Sequence, residues 1–408
     1  QGYLRLCGKL HNESLKEYSY KIDYIQNEIV GWIEKAKKAG NSHADGADKG
    51  KQNIIELLDF PVEEIEEKGD ELTNYLIMQS ESNLIEANSL IERHKKTKKE
   101  KFKEKIFREL ISTIKRAYQA AYTAMIYQIS FYCAPRGSNW TMLKYYDDEK
   151  LSNSILPTFT YHQEKDQYRI FVPIKGPSLI SDSNEIVRYL KNADTENASA
   201  IALLLDKKLN KYIRPFLAAR DKYIELVLPS EIESVINKSK ESIQCLSEGM
   251  VKNLTPKDEK ILIGELKKDI ESLENTDLNS TLPLFVWITH RKPYQSLKAD
   301  VLEGYISQEA WFETNTYYRE LMMSRHTLSG SFKDNTEYAF YALDNNTKIT
   351  GINLHGMRHL SATVHLRKNP KNYAKVAAIL NDSVAQVILT YGPKNRRHTM
   401  KEIERNGL

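Results

Sequence analysis

HGMRHLSATVHLRKNPKNYAKVAAILNDSVAQVILTYG, His355 to Gly392, is the stretch on which the reading of this chain turns. His355 and Arg358 stand at i and i+3 and so share a helix face. Leu360, Val364, Val376, Ile379 and Leu380 recur at helical spacing and read as the apolar scaffold. Asn369-Pro370 and Asn381-Asp382-Ser383 are breaks, which predicts two or three short helices. Tyr391 closes the last one, just before Gly392-Pro393. The stretch is either helical core with scattered polar residues or half of a reaction centre.

Residues far upstream complete the second reading. The pattern from Phe102 to Tyr132 is a long helix rich in Ala, Ile and Tyr, stopped by CAPRGSNW at Pro135 and Gly137. Arg136 sits in that break. ILPTFTYHQ and YRIFVPIKG are two β-like runs separated by EKD, so Lys165 is expected at a hairpin tip. A tyrosine hydroxyl, with a pKa near 10, is a poor nucleophile unless its target is polarised and its proton has somewhere to go. A phosphodiester under attack gains charge on its non-bridging oxygens. Two guanidiniums can clamp those oxygens with bidentate geometry and keep their protons. A His can manage a proton, and a Lys can supply one to the leaving oxygen. Such a site calls for neither metal nor other cofactor.

The boxes resemble those of the tyrosine recombinases, the phage-integrase and Xer type. HGMRHLSATVHL is similar to that family's His-x-x-Arg box. AAILNDSVAQVILTYG is similar to the box in which a Leu-Gly-His-Ser turn precedes the nucleophilic tyrosine, and Tyr391 stands nine residues after Asp382, the family's spacing. CAPRGSNWTMLKY looks like the first-Arg box, with Ser138 matching and Asn139 in place of Glu. EKDQYRIFVPIKG looks like the β-hairpin box, with Lys165 eight residues before Pro173. The resemblance implies strand cleavage by Tyr391 through a 3′-phosphotyrosyl intermediate. Arg136 and Arg358 would hold the phosphate, His355 would assist at Tyr391 and Lys165 would protonate the leaving 5′ oxygen. It also implies duplex DNA as partner, a homotetramer on synapsed DNA with a monomer in its absence, and a role in recombination or integration of mobile DNA. Related readings are a telomere resolvase, a type IB topoisomerase, or a DNA-binding protein of recombinase descent that no longer cleaves.

Two departures stand out. The third basic position, usually His or Trp, is Asp382, and a carboxylate beside a phosphate repels it. Arg136 and His355 are 219 residues apart, about twice the family's separation, which places a helical insertion at about 177–280.

The expected architecture is therefore mainly α with a small antiparallel sheet. A helical N-terminal domain spans about 1–100, with helix-type patterns near Ser14–Ala39, Lys51–Leu58 and Pro61–His94. A catalytic domain runs from 105 to 408. LPLFVWITH (Leu282–His290) reads as a strand or buried segment, with helical patterns from there to Met323. His359 and His365 read as packing or surface residues. A composition that is 41% hydrophobic and 28% charged is that of a globular protein, and no apolar run reaches membrane-span length. Residue 1 is Gln and no signal pattern follows, so the sequence reads as a piece of a longer protein. Cys7, Cys133 and Cys245 are scattered and odd in number, which suggests no disulfide framework or zinc site and fits the cytoplasm, at the nucleoid if bacterial. Net charge is only +4, but basic residues cluster in Arg93–Lys105 and after Tyr391. Arg93, Lys95, Lys96, Lys98, Lys99, Lys394, Arg396 and Arg397 are candidate phosphate contacts, although such runs are also common on solvated faces.

Overall fold

The computed structural model describes residues 56–141, 143–147, 158–172, 201–248, 256–278, 282–287 and 323–382, with 54, 321, 384, 387, 388, 390 and 391 singly. The chain divides into two compact units, Gln1–Ile55 and Glu56–Leu408. The expected helices at Ser14–Ala39 and at the start of Lys51–Leu58 lie outside the described residues, as do most of the helical patterns before Met323 and all of the tail after Tyr391.

Within the second unit, α1 (Val62–Lys96) and α2 (Glu100–Ile129) pack along each other. The basic run is where one becomes the other. Thr97 leaves the helical region and caps α1 through its N–H, and α2 restarts at Glu100. α1 buries Ile65, Leu72, Leu76 and Leu90 along one stripe, whereas α2 is buried on nearly every side from Ala117 to Ile129. The two helices touch closely where a Cβ on Gly69 would lie 2.8 Å from the Tyr127 hydroxyl. The helices on either side of the boundary expected near residue 100 lie in the same compact unit.

A short helix α3 (Gly137–Thr141) follows the break, then β1 (Lys144–Tyr146). β2 (Thr158–His162) and β3 (Gln167–Val172) form the expected antiparallel hairpin, with Phe159 opposite Ile170. β3 alternates half-buried and buried residues along its length, the period of two of a sheet with one face inward. β4 (Ile201–Leu204) pairs antiparallel with β3, whereas β1 pairs parallel with β2. The sheet is thus four-stranded and mixed rather than purely antiparallel.

Among the described residues, three helices lie in the region expected to be inserted: α4 (Asn210–Leu226), α5 (Leu228–Ser247) and α6 (Pro256–Glu274). α4 packs against α2 in the core, and α6 packs on α5. Aromatic rings join these parts. Tyr118 of α2 stacks on Phe216 and Tyr223 of α4, and Phe285 meets Tyr122, Trp140 and Phe216. Phe285 belongs to the buried segment expected around Leu282, in which Pro283 forms an isolated antiparallel bridge to Lys144. Buried Arg220 donates to the carbonyls of Leu284 and Pro283 at 3.0 and 2.8 Å and holds that segment against α4.

α7 (Arg325–Leu343), α8 (Leu354–Lys368) and α9 (Tyr373–Leu380) follow among the described residues, with breaks where Asn369-Pro370 and Asn381-Asp382 predict them. The chain is helical again at Val384, Val387, Ile388, Thr390 and Tyr391. Among the described residues, no helix is long and apolar enough to cross a membrane. Cys133 and Cys245 are free thiols, and Cys7 lies outside the described residues.

Candidate active site

The backbone at Ala134 is hydrogen-bonded to residues of α8 and α9, more than two hundred positions away in sequence. The N–H of Ala134 donates to the Ile379 carbonyl at 2.8 Å, and the Ala134 carbonyl accepts from the Arg358 guanidinium. Arg136 follows at once. Its carbonyl accepts from the N–H groups of Asn139 and Trp140, so it opens α3, and α3 is pinned by the buried Trp140 ring. A Cβ on Gly137 would stand 3.4 Å from Leu354, which places the start of α3 beside the start of α8. That start is capped by Asn353, whose side chain accepts from the Gly356 N–H at 2.6 Å.

Arg358 is 7% exposed. Besides Ala134 it donates to the Leu380 carbonyl at 2.7 Å and, through the other terminal nitrogen, to Asp382 Oδ2 at 3.2 Å. Arg136 approaches the same Oδ2 at 3.7 Å, from a side chain that is 38% exposed. Two guanidiniums thus converge on one carboxylate oxygen. Arg136 Nε is buried without a hydrogen-bond partner among the described residues, a donor left over in the cluster. Burial pulls the Arg358 guanidinium below its ordinary pKa, with Tyr391 acting against that and Arg136 with it.

Tyr391 is buried in a cluster with Ala134, Ala362, Val376, Leu380 and Val387. Burial pushes its hydroxyl up to about 12, eased by nearby Arg358 and reinforced by Asp382. The His359 ring lies 5.4 Å from the Tyr391 ring, centroid to centroid, and His359 Nε2 is 3.0 Å from His355 Nε2. One nitrogen of that pair must donate and the other accept, so both cannot carry a proton there. His355 itself is exposed, and the chain of rings runs from solvent through His355 and His359 to Tyr391. His359, expected to be a packing or surface residue, is 4% exposed and stands between the two expected residues. Its signal was available: it is four residues after His355 on one helix face. His365 does serve packing, bonded to the Phe131 carbonyl at 2.6 Å.

Lys165 is at the hairpin tip as expected, in a one-turn 3₁₀ segment, Gln163–Lys165. Among the described residues it makes no hydrogen bond or ion pair with the arginine cluster. The next residue, Asp166, has φ 52° and fastens the tip to α4 and the turn before it. It bonds Tyr161 at 2.8 Å, Lys207 at 2.9 Å and Arg214, and its carbonyl accepts from Asn210. Arg93, Lys95, Lys96, Lys98 and Lys99 are exposed at the α1–α2 junction, with Lys95 paired to Glu92. Lys394, Arg396 and Arg397 lie outside the described residues. A separate cavity of about 820 Å³, lined by Tyr127, Cys133, Leu209, His365 and Lys375 among others, includes neither arginine of the cluster, nor Asp382, nor Tyr391. Comparison of the chain with protein-family models, curated proteins and solved structures finds no match in any of the three.

Proposed function

We propose that this protein cuts and rejoins DNA strands, with Tyr391 as nucleophile, in the manner of the tyrosine recombinases it resembles. The observation that carries the reading is that Arg136 and Arg358 meet on one oxygen beside Tyr391. Two fixed cations around an oxyanion are what an in-line attack on a phosphodiester requires. In this reading Tyr391 Oη bonds to phosphorus as the bond to the 5′ oxygen breaks, leaving a 3′-phosphotyrosine and a 5′ hydroxyl. A 5′ hydroxyl from a partner strand reverses the step, and the energy of the broken bond is retained without ATP. The tyrosine proton leaves through His359 toward exposed His355. Lys165 protonates the departing oxygen only after the hairpin tip leaves its moorings on Lys207 and Arg214. Exposed basic residues at Arg93–Lys99 contact the duplex backbone, and four copies assemble on two synapsed duplexes.

The test is a library of nicked duplexes of random sequence, in which the small fragment diffuses away after cleavage. The wild-type chain is expected to leave protein–DNA adducts that survive denaturation, and Tyr391→Phe none. Adducts that persist in Tyr391→Phe would place the nucleophile elsewhere. A second reading, DNA binding without cleavage, is favoured by the ion pairs that tie both arginines to Asp382. Retention of duplex DNA with no adduct from wild type would select it.

A further inference from the structure

We propose that the Asp382 carboxylate occupies the place of a non-bridging phosphate oxygen, so that a phosphodiester enters this site by displacing an internal anion. The inference rests on the reading of the arginine pair as a phosphate site. A single oxygen, Oδ2, faces both guanidiniums at 3.2 and 3.7 Å, the arrangement expected of an oxygen of bound phosphate. Arg358 cannot follow the carboxylate if it moves, because two backbone carbonyls, those of Ala134 and Leu380, hold it. Arg136 is the exposed member and retains an unused buried donor at Nε. The site therefore has one immobile cation, one that can adjust, and an opening to solvent on the side of the second.

The backbone at Asp382 is held independently of its side chain. Its N–H donates to the Ala377 carbonyl at 2.9 Å, closing the end of α9, and Asn381 before it takes the left-handed conformation, φ 50°. Displacement is thus a rotation about the two side-chain bonds of Asp382, with no refolding of the turn. The carboxylate cannot stay between the guanidiniums once phosphate arrives, since two anions would share one seat. Without DNA it neutralises part of the charge of two neighbouring arginines, one of them buried.

The full chain, titrated calorimetrically with inorganic phosphate, tests this. Asp382→Asn is expected to bind phosphate roughly ten-fold more tightly than wild type, and the gain is expected to vanish when Arg136→Ala is added. Equal or weaker binding by Asp382→Asn would show that Asp382 positions the arginines and holds no seat. A phosphate-soaked crystal of the wild-type chain needs no variant: the anion on Arg136 and Arg358 with the carboxylate rotated away supports the proposal. An anion elsewhere with the carboxylate in place, an adventitious ion only, overturns it. Tighter phosphate binding by Asp382→Asn without tyrosyl–DNA adducts from either chain leaves the seat standing and removes the cleavage reading. Adducts from wild type with no gain in Asp382→Asn remove the seat alone.

Discussion

Tyr391 holds its proton in the folded chain beyond the pH at which an exposed phenol gives it up. The unfolded hydroxyl titrates near 10 and the folded one near 12, chiefly because it is buried. The stability that follows is present in full below about pH 10 and is lost as pH climbs through about 12, because the unfolded chain releases its proton first. Tyr118, Tyr122, Tyr127 and Tyr145 are raised too, so the signature is a difference: urea midpoints of wild type fall more between pH 10 and 12 than those of Tyr391→Phe. Arg358→Ala is expected to cost about 3–5 kcal/mol in the same assay, since it strips two carbonyls and Asp382 of a buried cation. Arg136, Arg358 and Tyr391 were legible in the sequence because their boxes carry internal spacing. His359 showed its place beside His355, four residues on along the helix, but not its place beside Tyr391, which depends on the chain folding back to bring the two rings within 5.4 Å. Lys165 could be put on a tip but not aimed, since the partners of Asp166 come some forty residues later in the chain.

At the level of elements, α8 carries His355, His359 and Arg358 on one rigid rod, and its first turn depends on a side chain outside it. Asn353→Ala removes the acceptor for the Gly356 N–H and is expected to cost about 1 kcal/mol by thermal or chemical unfolding. Adduct formation is expected to fall with it, because the first turn holds His355. The hairpin and the breaks at Asn369-Pro370 and Asn381-Asp382 were legible, for they rest on local rules: alternation for β2 and β3, and turn residues for the breaks. β1 and β4 were not. β1 has three residues, too few for a period, and β4 lies in the apolar run ASAIALLL, which fits a buried helix as well as a strand. Only its pairing with β3 distinguishes the two.

Taken whole, the second unit does not separate into a catalytic body and a detachable insertion. α4 stacks Phe216 and Tyr223 on Tyr118 of α2, and Arg220 ties the Leu282–Leu284 carbonyls to it. Glu231, at the start of α5, is bonded to Tyr223 and paired with Lys115. A chain lacking 177–280 is therefore expected not to fold, with no cooperative thermal transition by circular dichroism; a shortened chain that melts as sharply as the full one would mean that the core closes without α4. The surplus length was legible from the separation of the boxes, but sequence spacing alone cannot tell an appendage from a wall of the core. The joint at Ala134 has a further consequence, one of timing. A ribosome that has delivered Ala134, Arg136 and α2 has built half of a pincer whose other jaw is 224 residues away at Arg358. Chains emerge N-terminus first, at roughly 5–20 residues per second. No nascent chain short of α8 and α9 can close on a phosphate, so the chemistry proposed for Tyr391 is withheld through most of synthesis.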